Sequence, residues 1–403
     1  MTPCRTLSLL GCLIWGGIMV APVAHGDEPA DGSPTKQPPT SAQITSWIDQ
    51  LDSDKFLLRE NATQKLIGAQ QAAIGPLADA VRTGSLEKAF RCIHVLRAFA
   101  IGDDIETEIE ASAKLALIAA TENDRVGAYA GDVLKRIEPI QRERAIRVLS
   151  GLGVKFTSYA PMQGFQGLDE GPGIWITNDY TGSAKELHYL QHLDFIEDVQ
   201  IENDKITADW FAEIAKMPSV HLMTIKDGPV DIEMLRELEP LFLKLNWLRL
   251  YYLDLKSSPA AMLEKMTSLH HVEMFGIVID GKELFQDPQQ QERIRSALPG
   301  ITTTDGLKFR SGGFLGVRGS ADGNRPPCVV QSVDQDTGAY KAGLRGGDTV
   351  IEVNGTKVEG FMHLIELLKD KKAGDKVKMI AVRGTETKEL DITLGKWQLR
   401  EIY

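Results

Sequence analysis

The 403-residue sequence lacks the short motifs on which common catalytic and metal sites depend. It contains no H-E-x-x-H, C-x-x-C or G-x-S-x-G pattern and no phosphate-binding glycine loop. Basic residues never form a run longer than two, and the net charge is −11. A nucleic-acid surface needs a basic face, so this class of partner is excluded. We therefore predict no cofactor, no metal and no nucleic-acid partner.

Cysteine is also scarce, with four residues in the whole chain. Cys4 and Cys12 lie in the N-terminal segment that is predicted below to be a signal peptide, whereas Cys92 and Cys328 lie in different predicted domains. A disulfide between the last two is not expected, even in an oxidising compartment. Cys92 lies on an apolar helix face, which predicts a small buried side chain.

A long apolar run occurs at the N-terminus. Arg5 precedes the apolar stretch Leu7–Val20, and Ala24-His25-Gly26 places small residues where signal peptidase needs them. The pattern predicts a signal peptide over 1–26 and export to the periplasm, the cell envelope or the medium. Two alternatives stay open: an uncleaved anchor, which would make the membrane a partner, and a lipoprotein box at Leu9–Cys12.

The next two segments differ in their apolar periodicity. Residues 27–40 contain four prolines among polar residues, which predicts a disordered linker. From 41 to 152, apolar residues recur at three- and four-residue steps, which predicts an all-α domain. A small residue lies one turn before a leucine at three places, which resembles HEAT or armadillo repeats; a non-repeating bundle stays open. These pairs are Ala62 and Leu66, Cys92 and Leu96, and Ala130 and Leu134.

A second repeat occupies residues 153–304. An apolar strand pattern starts at Ile196, Val220, Leu245 and Leu269, at steps of 24, 25 and 24 residues. This spacing, with short helical stretches between the strands, resembles leucine-rich repeats and predicts an α/β solenoid. Gly173–Thr177 is predicted to be an irregular first strand. The solenoid either binds a partner on its concave face or acts as a spacer, and both interpretations stay open.

Residues 305–403 contain the most specific motifs. The sequence Ala342-Gly343-Leu344 is followed by Gly347-Asp348-Thr349-Val350-Ile351 and Val353-Asn354-Gly355. These motifs, together with the glycine-rich stretch from Gly312 to Val317, resemble a PDZ domain of bacterial secreted or periplasmic type. The resemblance implies a small β-rich sandwich or barrel with two helices, and it implies peptide binding.

The resemblance also implies the parts of the binding site. A peptide C-terminus is a carboxylate, so it needs converging backbone N–H donors and then an open strand edge for the rest of the peptide. The predicted carboxylate loop consists of Phe314, Leu315, Gly316 and Val317. Leu315 and Val317 should form one wall of the side-chain pocket. The opposite wall is expected from three residues on one helix face, Phe361, Ile365 and Leu368, although a core role for about half of these apolar positions stays open. Because Phe361 stands where some PDZ domains have a histidine, we expect a preference for apolar C-termini, with His363 facing outward.

Two further residue groups were considered for chemistry. Ser311-Gly312-Gly313 superficially resembles a protease nucleophile, but Phe309-Arg310 precede it where a glycine and an acid are expected. His188 and His192 are four residues apart, but no third metal ligand has a fixed spacing to them, so we predict two solvent-facing histidines. No catalytic residue is therefore predicted.

The sequence predicts an exported, non-catalytic scaffold that binds peptide C-termini or extended peptides. The alternative is an accessory or degenerate subunit of a PDZ-containing serine-protease system, which would deliver substrates or regulate the protease. A third interpretation is a structural spacer in an envelope assembly.

Overall fold

The structure is a computed structural model that describes residues 38–121, 125–157, 172–301, 306–319 and 326–397. The predicted signal peptide and most of the predicted linker lie outside these ranges. No helix within them is both long enough and apolar enough to cross a membrane.

The N-terminal region is helical. Thr40 begins the first helix with a capping box, and Ser85 caps the fourth by accepting the Lys88 N–H at 3.1 Å. Cys92 is fully buried among these helices, as predicted, and Cys328 is buried in the C-terminal core. Six helices follow one another: α1 (Ser41–Gln50), α2 (Phe56–Gly68), α3 (Gln71–Thr83), α4 (Leu86–Ala100), α5 (Ile105–Thr121) and α6 (Arg125–Gly151).

The middle region is built on a sheet of mostly parallel strands. Its order is β1-β2-β3-β4-β5-β6-β9, and all neighbours from β2 onward are parallel. The strands are β1 (Lys155–Thr157), β2 (Gly173–Thr177), β3 (Asp198–Glu202), β4 (Leu222–Lys226), β5 (Trp247–Tyr251), β6 (His271–Phe275), the hairpin strands β7 (Val278–Ile279) and β8 (Lys282–Glu283), and β9 (Leu307–Arg310). The intervening helices are α7 (Ala208–Ile214), α8 (Ile232–Arg236), α9 (Ala260–Leu263) and α10 (Pro288–Ser296), with 3-10 helices at Glu186–His192, Glu239–Leu241 and Leu284–Gln286.

The strand register follows the sequence period. Each strand from β2 to β5 pairs with the next strand through residues that are 25, 24, 25 and 24 positions apart. The paired residues are, in order, Gly173, Asp198, Leu222, Trp247 and His271. One strand every 24 or 25 residues is the spacing that the sequence predicted, and the predicted irregular first strand is β2.

Two features extend the sheet region past its predicted limits of 153 and 304. Ala145 and Leu149 of α6 are buried in the core of the sheet region, so the last helix of the first region packs against that region, mainly at the 3-10 helix Glu186–His192. At the other end, β9 pairs with β6 although its residues lie in the range predicted for the PDZ domain. The three regions therefore share elements at both junctions.

The prediction that His188 and His192 face solvent is wrong. His188 is only 5% exposed, because its 3-10 helix packs between α6 and α7. The His192 imidazole lies 3.1 Å from the buried Glu108 carboxylate, and that of His188 lies 3.8 Å from Glu213. Burial and the nearby His192 lower the pKa of His188.

The C-terminal module, residues 313–397, contains a separate antiparallel sheet in the order β10-β11-β12-β14-β15, with β13 paired to β12. Asn354 and Gly355 have φ values of 49° and 81°, which form the tight β12–β13 turn. The elements are β10 (Val317–Gly319), β11 (Cys328–Val333), α11 (Gly338–Lys341), β12 (Thr349–Val353), β13 (Thr356–Lys357), α12 (Phe361–Leu368), β14 (Lys376–Arg383) and β15 (Glu386–Thr393).

Candidate peptide-binding site

The candidate site begins at the loop before β10. Gly316 has φ +81°, and a Cβ at this position would lie 2.3 Å from the Thr337 Cβ. The loop therefore needs glycine both for its backbone conformation and for its approach to Thr337. The Gly316 carbonyl accepts the Asp334 N–H at 2.9 Å, and the Leu315 carbonyl accepts the Ala339 N–H at 3.3 Å. Both carbonyls are thus tied to the β11–α11 segment.

The backbone N–H groups of this loop do not all point in one direction. The Phe314 N–H donates to the Gly395 carbonyl at 2.8 Å. This N–H group is therefore already used, and the prediction that Phe314 donates a hydrogen bond to the peptide carboxylate is wrong. The N–H groups of Leu315 and Gly316 have no acceptor in the described part of the chain. These two groups are available to an incoming carboxylate.

Strand β10 lies at the edge of its sheet. Because the Asp334 N–H bonds to Gly316 rather than to Val317, the pair Val317↔Val333 is of the non-hydrogen-bonded type. The N–H and C=O of Val317 therefore point away from β11, toward the open edge. An extended peptide can add to such an edge through main-chain hydrogen bonds.

Helix α12 forms the second side of the site. A Cβ at Gly319 would lie 2.1 Å from the Phe361 ring, so this ring rests directly on the β10 backbone. Phe361 and Ile365 are half-buried, whereas Leu368 is 9% exposed. His363 accepts the Glu359 N–H through Nδ1 at 3.3 Å, which holds its ring at the start of the helix.

The structure brings most of the predicted pocket residues together. Leu315 and Leu368 are buried in the core of the module, and Val317 and Phe361 pack against that core while half-buried. The first two are thus mainly core residues, and the other two have surface left for a ligand. Ile365 lies one turn after Phe361 on α12.

A buried carboxylate holds the turn before β12. Asp348 accepts two hydrogen bonds from Arg383, at 2.6 and 2.8 Å, and one from the Arg345 N–H at 2.8 Å. The hydrogen bonds from Arg383 lower the pKa of Asp348, although burial opposes this shift. Ionised Asp348 thus holds the glycine turn that follows Leu344.

Sequence reasoning missed the side chains that support the loop from outside it. Thr337 fills the space beside Gly316, donates to the Asp334 carbonyl at 2.7 Å and caps α11. No local motif links Thr337 to the loop, because the contact forms only when β11 and α11 fold beside it.

The Ser311 hydroxyl is buried and has no hydrogen-bond partner in the described ranges, so no base contacts it there. Over the same ranges, no group of three or more His, Cys, Asp or Glu side chains is arranged to hold a metal ion.

Comparisons with known proteins agree with this geometry. Residues 313–394 match the family model for the PDZ domain. A stretch of 59 residues is 44% identical to the Na(+)/H(+) exchange regulatory cofactor NHE-RF1 of Gallus gallus, covering 15% of this chain and 18% of that protein.

Two of the similar solved structures are proteases. The HtrA-type protease AlgW with decapeptide is 19% identical over 28% of this chain and 35% of that chain, with a TM-score of 0.21. The serine endoprotease from Yersinia pestis is 18% identical over 27% of this chain and 34% of that chain, with a TM-score of 0.20. The chain thus spans less than a fifth of the curated relative and about a third of each protease chain. Residues 313–394 of this protein form a PDZ domain.

Proposed function

We propose that this protein is an exported, non-catalytic scaffold whose PDZ domain binds the C-terminus of a partner protein. The observation that supports this most is the free loop N–H pair of Leu315 and Gly316 beside the outward-facing backbone of Val317. A carboxylate and the extended residue before it would satisfy all of these groups at once. A short helix and an edge strand line the place that the peptide would occupy.

The proposed specificity is for an apolar C-terminus. The half-exposed surfaces of Val317 and Phe361 are apolar, and Ile365 lies one turn further along the same helix face. An apolar terminal side chain would bury against them without leaving a polar group unpaired. The Phe361 ring on Gly319 limits the depth of the groove at the residues that precede the terminus.

The other two regions are proposed to be interaction surfaces or spacers. The parallel strands at 24- and 25-residue steps support a leucine-rich-repeat solenoid, and the six successive helices support a helical-repeat domain. The apolar N-terminal stretch supports export.

A peptide library with free C-termini, displayed to the full chain, tests the proposed function. We expect enrichment of peptides that end in an apolar residue, and we expect loss of binding when the selected peptide is amidated at its C-terminus. Gly316→Trp, which fills the loop, should abolish binding. If no peptide is enriched, or if amidation has no effect, the C-terminal binding hypothesis is wrong.

A further inference from the structure

A tyrosine of the parallel-sheet region holds the PDZ domain at two points. Tyr252 directly follows β5 and has φ +56°, a left-handed conformation that is uncommon for a side chain of this size. Its hydroxyl donates to the Gly312 carbonyl at 2.5 Å and accepts the Trp397 N–H at 2.6 Å. One side-chain oxygen thus joins the segment before the carboxylate loop to the segment after β15.

Two glycines leave space for the Tyr252 ring. A Cβ at Gly276 or at Gly312 would lie 2.6 Å from a ring carbon of Tyr252, so both positions need glycine. The Lys396 ammonium lies 4.9 Å from the ring centroid and pairs with Asp227 at 2.5 Å. Burial of the phenol raises the pKa of Tyr252. The phenol therefore stays neutral and can donate its hydrogen bond at physiological pH.

The contact continues from Tyr252 into the loop itself. The Trp397 ring lies 5.2 Å from the Phe275 ring and 4.6 Å from the Phe314 ring, so it packs between the sheet and the first loop residue. On the other side, the Gly313 N–H donates to the Lys371 carbonyl at 2.7 Å, just beyond α12. Hydrogen bonds therefore fix the three residues that precede Leu315 and Gly316 in the loop, namely Gly312, Gly313 and Phe314.

We infer that Tyr252, a residue of the parallel-sheet region, is a positioning residue for the carboxylate loop of the PDZ domain, a role that rests on the proposed peptide binding. The loop is anchored on one side by its own domain and on the other by this hydroxyl. Without the hydroxyl, the Gly312 carbonyl and the Trp397 N–H lose their partner, and the segment that enters the loop gains freedom. The free N–H groups then have to be ordered at the moment of binding, which weakens affinity.

The test uses the full chain with Tyr252→Phe, which removes only the hydroxyl. Tyr180→Phe is the matched control, because the Tyr180 hydroxyl also donates a hydrogen bond to a backbone carbonyl, that of Ser183, at 2.7 Å. This hydrogen bond lies within the sheet region and involves no residue of the PDZ domain. The probe is a fluorescent decapeptide that ends in valine with a free carboxylate, and its C-terminal amide is the negative probe. Hydrogen exchange at the Gly313 and Phe314 amides provides a second measurement that needs no peptide.

We expect Y252F, which lacks both hydrogen bonds of the Tyr252 hydroxyl, to bind the free-acid peptide about fivefold more weakly, and Y180F to bind like the wild type. Exchange at Gly313 and Phe314 should be faster in Y252F alone. Equal affinity and equal exchange in Y252F and Y180F would overturn the positioning role. If the wild type binds neither peptide while Y252F still accelerates exchange, the positioning role stands and the proposed peptide specificity fails.

Discussion

At the scale of single residues, Gly316 decides whether the carboxylate loop can form. Its φ of +81° favours glycine, and Thr337 leaves no space for a side chain. Gly355 in the same domain has the same φ of +81°, but open space surrounds it. The pair therefore separates the effect of backbone strain from the effect of a steric clash.

Gly316→Ala should abolish peptide binding and should destabilise the PDZ domain more than Gly355→Ala does. The left-handed backbone costs an alanine at either position about 1–2 kcal/mol. Only the Gly316→Ala substitution must in addition displace Thr337, which caps α11. Urea unfolding and fluorescence anisotropy of both variants provide the measurements, and equal losses in the two would show that Thr337 does not constrain the loop.

Asp348 gives the PDZ domain a pH-dependent stability. Its folded-state pKa is lowered, mainly by hydrogen bonds from Arg383, so its contribution is present above the unfolded-state value and is lost as the pH falls through the folded-state pKa. We expect Asp348→Asn to cost ~2 kcal/mol at neutral pH, since Arg383 stays 40% exposed and would be rehydrated in part.

Chemical unfolding at pH 7 and at pH 3 checks this expectation. The difference between D348N and the wild type should shrink at the lower pH, because the unfolded wild type then binds a proton at Asp348 that the folded state, with its lowered pKa, binds less readily. Asp391→Asn changes an exposed aspartate in β15 of the same domain and should have little effect at either pH. A difference that stays constant with pH would contradict the role of the ionised Asp348.

At the scale of elements, α12 lies close to β10 and forms the other side of the proposed binding groove. The Phe361 ring lies on the Gly319 backbone, where a side chain on residue 319 would collide with it. Met362, the next residue of α12, is 49% exposed and is not part of the domain core. Of these two neighbouring residues of α12, only Phe361 faces β10 and the proposed groove.

Phe361→Ala should lower the affinity for a peptide with an apolar C-terminus about tenfold, because the ligand loses the part of the half-buried ring that it would cover. It should also relax the preference at the residues before the terminus. Met362→Ala should bind like the wild type. Library selection and affinity measurement on both variants provide the test, and identical selections from F361A and M362A would exclude Phe361 from the groove.

At the scale of the whole molecule, the sheet and the PDZ domain meet at an aromatic contact. Trp397 lies between Phe275 at the end of β6 and Phe314 in the carboxylate loop. The Arg310 guanidinium lies 5.4 Å from the Phe275 centroid and 5.9 Å from that of Trp397. The carboxyl ends of parallel strands therefore provide the platform on which the PDZ domain rests.

Trp397→Ala should loosen this platform, at a cost of about 2 kcal/mol, because the aromatic side chain that is removed is half-buried. Small-angle X-ray scattering should then show a larger radius of gyration, and thermal unfolding should separate into two transitions. Trp47→Ala, which truncates a half-buried tryptophan of α1, should lower stability without changing the radius. An unchanged radius in W397A would indicate that other contacts hold the domains together.

Much of the architecture could be predicted from local patterns. The positions of the strands from β2 to β6 follow from apolar periodicity, and the glycine turns of the PDZ domain follow from residues that adopt positive φ. The burial of His188 could not be predicted, because it depends on α6 and α7 packing over a 3-10 helix. The hydrogen bond from the Phe314 N–H to the Gly395 carbonyl could not be predicted either, since the two residues are 81 positions apart.

The sequence by itself determined the order of the helical, parallel-strand and PDZ segments and the position of the glycine loop before β10, because period and glycine placement are local properties. The tertiary structure alone decided that the Leu315 and Gly316 N–H groups have no acceptor in the described ranges, that β9 belongs to the parallel sheet, and that Tyr252 and Trp397 contact the segments beside the loop. Each of these depends on hydrogen bonds or ring contacts between residues far apart in the chain, and such contacts are formed only when separate elements pack together.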